Sequence, residues 1–308
     1  MEENFNAQNR RAPAHVFAPE MAMKKMPYNP PAMENRMEQH LPQVVDIAAA
    51  AGREIMEVYA GEGEFQVESK SDGSPLTEAD RRAHNLIAAR LAQLAPDIPL
   101  LSEESEARAF AERRAWRRYW LVDPLDGTKG FIRRNDQFSV NIALIENSRA
   151  VLGAVHAPTS GASYFAARGG GAFKTDGGAA RPIRARKFDG ARAVMVTSRS
   201  HAKGAVEEYR ARLAAEGIEV EVSGAGSSLK ICAVAEGAAD IYPRFGPTSE
   251  WDTAAAHCVL EAAGGGLTDA AGETLRYNKE NILNPWFLAA GDAEFDWAAR
   301  ARGLEGVE

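Results

Sequence analysis

The chain is poor in cysteine: among 308 residues only Cys232 and Cys258 occur, each inside an apolar stretch (Ile-Cys-Ala-Val and His-Cys-Val-Leu). That argues against a disulfide scaffold or a thiolate metal centre and predicts two buried free thiols in a reducing cytoplasm. No run approaches the roughly 18 to 20 apolar residues that cross a bilayer, and the first residues lack the apolar segment of a signal peptide. Basic residues are in deficit, with 36 Lys and Arg against 43 Asp and Glu and a formal net charge of -7. A protein that tracks a nucleic-acid polymer needs a basic face, so that partner is not expected; a small phosphorylated ligand reached through cations is compatible. A dinucleotide phosphate loop is lacking too. Gly169-Gly170-Gly171 falls between β-rich segments, where a tight hairpin turn is the simpler meaning. What remains, 45% hydrophobic and 26% charged residues, is the composition of a globular protein with a real core, as one large domain or two smaller ones.

Residues 1–36 stand apart, with Pro13, Pro19, Pro27, Pro30 and Pro31 and no helical or strand period, and are read as a disordered extension. From Met37 to Tyr59, Leu41, Val44, Val45, Ile55, Met56 and Tyr59 recur at helical spacing, which predicts a core-facing helix. Thr77-Glu78-Ala79-Asp80 opens a second helix to about Leu94, and the acid three residues after Thr77 fits a cap. Short β-rich segments follow at Ile98 to Leu101, Tyr119 to Val122, Phe138 to Ile145, Val151 to His156 and Ser163 to Ala167. Their alternation predicts one mostly antiparallel sheet. After Arg186, strands at Ala193 to Thr197, Glu219 to Val222 and Asp240 to Tyr242 alternate with helices ending near Ala215, starting at Ser227 and running from Glu250 to Ala263. The expected organisation is therefore an α+β half over 37–186 and an α/β half over 187–308.

Chemistry concentrates in the acids. Trp120 to Phe131 reads Trp-Leu-Val-Asp-Pro-Leu-Asp-Gly-Thr-Lys-Gly-Phe, with Asp123 and Asp126 three residues apart at the end of an apolar strand. Magnesium takes oxygen ligands and keeps several waters, so Asp123, Asp126 and the Leu125 carbonyl suit it. An ordinary turn rich in Pro, Asp and Gly is the competing meaning. Ser102-Glu103-Glu104, Asp80 and Trp251-Asp252-Thr253 also lie near element ends. Asp252 in a first helical turn is favourable with the helix dipole by itself. Gathered together, however, these acids would repel one another unless cations neutralised them.

Ser-Glu-Glu, Asp-Pro-Leu-Asp-Gly-Thr-Lys-Gly-Phe and Glu-Trp-Asp-Thr-Ala-Ala-Ala-His, in this order, resemble the inositol monophosphatase superfamily of magnesium-dependent, lithium-sensitive phosphatases, from about Leu41 to the C-terminus. Lys129 and Gly130, where inositol monophosphatases usually carry Thr-Asn, and the run Tyr242 to Asp252 are most similar to its 3'(2'),5'-bisphosphate nucleotidase group. The resemblance implies a layered αβαβα sandwich of the inositol monophosphatase/fructose-1,6-bisphosphatase type. It implies one magnesium on Glu103, Asp123 and the Leu125 carbonyl, a second on Asp123, Asp126 and Asp252, and a third, weaker one near Glu103. Asp80, Glu103 and Thr128 are the implied catalytic residues, Thr128 orienting a water while donating to Asp80. The backbone amides of Gly127 and Thr128 suit phosphate oxygens.

For the nucleotide, the matching positions are His201, Ser227, Lys230 and Arg244. Ser227 as a helix cap and Lys230 and Arg244 as solvated charges are the structural alternatives. Lys70 matches a lysine near the site, with a loop charge as its alternative. The implied activity is hydrolysis of 3'-phosphoadenosine 5'-phosphate to AMP by in-line attack of an activated water, beside sulfate assimilation. No Cys-x5-Arg or Asp-x-Asp-x-Thr nucleophile competes. Two alternatives stay open: an inositol or sugar monophosphatase, and a non-catalytic binder of phosphorylated ligands. The expected location is the cytoplasm, with peripheral attachment to the cytoplasmic face of the inner membrane as a variant; oligomeric state is not legible.

Overall fold

The computed structural model describes residues 38–61, 65–70, 75–106, 108–197 and 204–304. The proposed extension over 1–36 and His201 lie outside them. A short 3-10 turn, Glu38–His40, leads into α1, Leu41–Tyr59, which carries Pro42 in its first turn, where a missing N–H costs nothing. A hairpin of β1, Val67–Ser69, and β2, Pro75–Thr77, precedes α2, Glu78–Leu94. Both helices fall where the periodicity placed them, and they pack on each other.

The large sheet comprises β3, Leu100–Ser102; β4, Arg118–Asp126; β5, Ser139–Glu146; β6, Arg149–Ala157; β7, Ala162–Ala167; β8, Gly171–Thr175; and β9, Arg181–Ile183. Its strands lie in sequence order and all pairs are antiparallel except β3 with β4. The glycines at 169–171 turn β7 into β8, as a hairpin turn should. Short helices α3, Phe110–Arg113, and α4, Thr128–Ile132, flank β4.

The second sheet is mixed. β10, Arg192–Thr197, runs parallel to β11, Glu219–Gly224, and to β12, Ile241–Arg244. β13, Gly266–Asp269, and β14, Phe287–Ala290, pair antiparallel, β14 also with β12. Its helices are α5, Ala205–Ala215; α6, Leu229–Ala235; and α7, Glu250–Ala262. The sequence pattern did not single out β8, β9, β13 or β14.

Five layers result. Trp120, Val122, Ile142 and Leu144 share one apolar cluster with α1 and α2, while Tyr119, Leu121, Ala143 and Ile145 share another with α6, α7 and the inner face of the second sheet. The period-2 alternation of a strand thus feeds two cores, so both of its faces read as apolar. A third cluster, with Met195, Tyr209, Leu213 and Trp297, seats α5 on the outer face of the second sheet. The order α1/α2, large sheet, α6/α7, second sheet, α5 is the expected αβαβα sandwich. α7 lies close on the large sheet because Gly153 has no side chain: a Cβ there would sit 2.2 Å from the Ala255 carbonyl oxygen and 3.0 Å from Cys258 Cβ. Cys232 and Cys258 are buried free thiols, as expected.

Candidate active site

The site lies where β4 leaves the large sheet. The β4–β5 register breaks between Asp123 and Asp126, a bulge that re-aims side chains at a strand end. Gly127 then turns the chain into α4 with φ 96°, and a Cβ there would stand 2.9 Å from the Gln137 carbonyl oxygen, so the glycine is required twice over. The opening run is therefore the turn that composition suggested as well as a place where acids gather.

Three further elements bring their acids to it. The Glu103 amide donates to the Val122 carbonyl, 3.1 Å, tying the end of β3 to β4. Asp80 accepts from the Thr77 amide at 2.7 Å and from Thr77 Oγ1 at 2.6 Å through Oδ2, and from Thr128 Oγ1 at 3.3 Å through Oδ1. Asp252 accepts from the Ser249 amide at 2.9 Å in a second capping box. Asp80 and Asp252 therefore both close capping boxes and both stand among the acids around Asp123.

The electrostatics reflect this crowding. Burial, then the charges of Glu103, Asp126, Asp252 and Asp80, push the Asp123 carboxyl well above its usual range. Burial and Asp126 do the same to Asp252, partly offset by the Ser249 amide. Burial also raises Asp126, against the pull of Lys230 and the Ser228 amide. Asp80 is raised by burial, with its Thr77 bonds opposing. Such groups favour their protonated form unless positive charge joins them.

Lys70 supplies some of that charge. Its ammonium lies 2.7 Å from Glu103 and 2.5 Å from Glu104, so it is not a free loop charge. Burial works against the Lys70 charge, but the two glutamates outweigh it and hold its pKa above the ordinary value. Among the described residues, no three His, Cys, Asp or Glu side chains converge as a ready-made ion cage. The donor set nevertheless suits hard cations: carboxylates from four elements and the Leu125 carbonyl, without sulfur or imidazole. Mutual repulsion among acids otherwise held by protein donors is the physical argument for cations here.

Beside the acids opens a pocket lined by Asp126, Ser227, Ser228, Lys230, Tyr242, Arg244 and Asp252. Lys230 is 6% exposed, which excludes the alternative of a solvated charge. Its Nζ donates to the Ser227 carbonyl at 2.7 Å and lies 5.2 Å from the Tyr242 ring centroid, and burial lowers its pKa to about 8 against the pull of Asp126. Arg244 is likewise no simple surface charge. Its Nη2 donates to the Pro247 carbonyl at 2.9 Å, while its Nε is buried without a partner. Ser227 is not the helix cap. It has φ 49°, and Ser228 stands at the N-cap of α6.

Sequence reasoning missed Ser139, Asn141 and Ser228, behind the acids, and Glu104, held by Lys70. Glu104 lies inside the Ser-Glu-Glu motif, so its signal was present. The others have none, because they become neighbours only through the β4–β5 pairing and the seat of α6.

The chain belongs to the inositol monophosphatase family, whose model matches residues 36–300. Within it, the chain is 49% identical over 248 residues to a protein of Salmonella typhimurium named 3'(2'),5'-bisphosphate nucleotidase CysQ, covering 80% of this chain and 98% of that one. A protein of the same name from Haemophilus influenzae is 39% identical, over 84% and 96% of the two chains. The solved structure of CysQ from Bacteroides thetaiotaomicron, described as a bacterial member of the inositol monophosphatase family, superposes with a TM-score of 0.74 at 41% identity, over 83% and 98% of the chains. The extragenic suppressor protein suhB of Bartonella henselae superposes at 0.70 with 26% identity, over 85% and 98%.

Proposed function

We propose that this chain is a magnesium-dependent 3'(2'),5'-bisphosphate nucleotidase that hydrolyses 3'-phosphoadenosine 5'-phosphate to AMP and phosphate. The observation that carries the reading is the gathering of Asp80, Glu103, Asp123, Asp126 and Asp252, of which Asp80 and Asp123 are buried, beside a pocket whose cations are Lys230 and Arg244. Near-half identity to relatives named for this activity supports the substrate.

Glu103, Asp123 and the Leu125 carbonyl would hold one magnesium, and Asp123, Asp126 and Asp252 a second, with a weaker third near Glu103. When bound, the ions supply Lewis-acid activation of water and neutralise phosphoryl charge. The protein's part is orientation. Thr128 donates its hydroxyl proton toward Asp80 and so presents a lone pair to the attacking water, fixing it for in-line displacement. Glu103 takes the water's proton, and for this Lys70 must release it. The amides of Gly127 and Thr128 meet phosphate oxygens, and Lys230, Arg244 and Ser227 hold the rest of the nucleotide, its second phosphate foremost. That a nucleotide carries a second dianionic group, whereas inositol 1-phosphate does not, fits a pocket with two basic side chains.

The test is phosphate release from 3'-phosphoadenosine 5'-phosphate and from inositol 1-phosphate, each with magnesium, after chelation, and with added lithium. The expected result is a higher kcat/KM for the nucleotide, lost on chelation and lowered by lithium. Equal or better hydrolysis of inositol 1-phosphate would replace the substrate; unchanged activity without magnesium, or full activity of Asp123→Asn, would overturn the mechanism. Binding without turnover at saturating magnesium would mark a non-catalytic binder.

A further inference from the structure

Behind the acid cluster lies a run of neutral side chains with no place in the scheme above. Asn141 stands directly across the β4–β5 ladder from Asp123, so the two side chains leave the same face of the sheet, at the close separation of cross-strand neighbours. Its Oδ1 accepts from Ser228 Oγ at 2.7 Å, and the Ser228 amide donates to Asp126 Oδ2 at 2.5 Å. Ser139, two residues before Asn141 on β5, places its Oγ 2.9 Å from Ser228 Oγ and 3.0 Å from Ser227 Oγ. Asn141, Ser139 and Ser228 are all buried, at 1%, 0% and 3% exposure. Asn141 Nδ2 is buried without a partner. A buried amide donor left unsatisfied is destabilising, and folded chains rarely tolerate one without a use for it.

The rest of the amide is fixed. With Oδ1 pinned by Ser228, Asn141 cannot turn its nitrogen away, and of its two cross-strand neighbours on that face, Asp123 and Val155, only the Asp123 carboxylate can accept from it. We propose that Asn141 is a positioning residue for the paired acids: its Nδ2 donates to the oxygens gathered at Asp123 when the acids hold cations, while Oδ1, through Ser228, is tied to Asp126. One side chain thereby couples the two aspartates of the opening run, and it does so from β5, in the large sheet, to α6, which carries the pocket's Lys230. The inference rests on the cation-holding reading of the site. Partners of this kind behind ligating carboxylates change metal affinity by about 10- to 100-fold when removed.

Leucine is nearly the shape of asparagine and removes the unsatisfied donor, so Asn141→Leu separates positioning from structure. Metal-free wild type, N141L and S228A are titrated calorimetrically with magnesium chloride, and their Tm is measured in chelator. N141L is expected to keep or exceed the metal-free Tm of the wild type while binding magnesium at least about tenfold more weakly. Wild-type binding with an N141L Kd changed by less than about threefold overturns this inference and leaves the metal-site reading standing. No binding by the wild type overturns the metal-site reading and this inference with it. If N141L does not fold, S228A, which keeps the backbone donor to Asp126 and loses the hydroxyl that binds Asn141 and Ser139, decides by the same threefold limit. A residue with a structural role alone would lower Tm and leave Kd unmoved.

Discussion

At the first turn of α2, Thr77 and Asp80 close a capping box; at the first turn of α7, Ser249 and Asp252 close another. The local architecture is the same, and the charge around it is not. Asp80 turns its second oxygen to the Thr128 hydroxyl and has Lys70 among its opposing charges. Asp252 faces Asp126 and lines the pocket with Lys230 and Arg244. A cap occupies part of a carboxylate and leaves the rest for chemistry, so the same device delivers an acid that orients a hydroxyl at one helix and an acid that holds charge at the other.

The largest expected effect separates the two. Asp252→Asn can still accept from the Ser249 amide but loses the charge, so kcat/KM should fall roughly 10^3- to 10^4-fold, with magnesium affinity falling alongside and metal-free Tm rising as repulsion is relieved. Unchanged magnesium affinity by calorimetry would break the assignment. Asp80→Asn should lower kcat roughly 10^2- to 10^3-fold while leaving magnesium affinity near that of the wild type, because its oxygen serves the water-orienting hydroxyl. Parallel losses of affinity in both variants would erase the distinction drawn here.

A buried titratable group outside the acid cluster gives the reference for pH. Burial, then the Arg53 charge, hold His156 down to about 4 from its ordinary 6.5. Between these values the unfolded chain binds a proton that the folded chain does not. The His156 contribution is therefore complete above pH 6.5, is lost as pH falls toward 4, and levels off below; it amounts to roughly 2 to 4 kcal/mol. Urea midpoints of the metal-free wild type should fall over this window more steeply than those of His156→Gln. Equal slopes would refute the assignment. The smallest effect tests what the two helices share: Thr77→Ala and Ser249→Ala should each cost about 1 kcal/mol of stability in urea melts. A clearly larger loss in one would show that its cap does more than close a helix end.

Much of this was legible because it is local. The periodicity of α1, the cap of α2 and the alternation through β4 need only neighbours in the chain. The acids could be gathered in advance because the order of three motifs resembles a known family, and repulsion among acids so gathered is what calls for cations. Lys230 was legible only through the motif resemblance: nothing in Ser-Leu-Lys-Ile-Cys itself says that α6 is pressed between two sheets, and without the resemblance a lysine there reads as solvated. A helix cap was the alternative for Ser227 because serine before an apolar run usually is one, yet the left-handed turn puts Ser228 at the N-cap position, and its hydroxyl binds Asn141 instead of capping. The strands β13 and β14 escaped because they are short and gain their pairing from β12, far away in sequence.

Gly153 lies two strands from β4 and takes no part in any chemistry. Even so, the height at which α7 rides over the large sheet is set by the hydrogen that replaces a methyl there, since the Ala255 carbonyl leaves room for nothing larger. Asp252 is carried on that helix and Asp126 on that sheet. The gauge of the reaction centre is thus kept at a distance, like a shim under a bearing, and a change as slight as Gly153→Ala would alter the spacing of two acids without touching either.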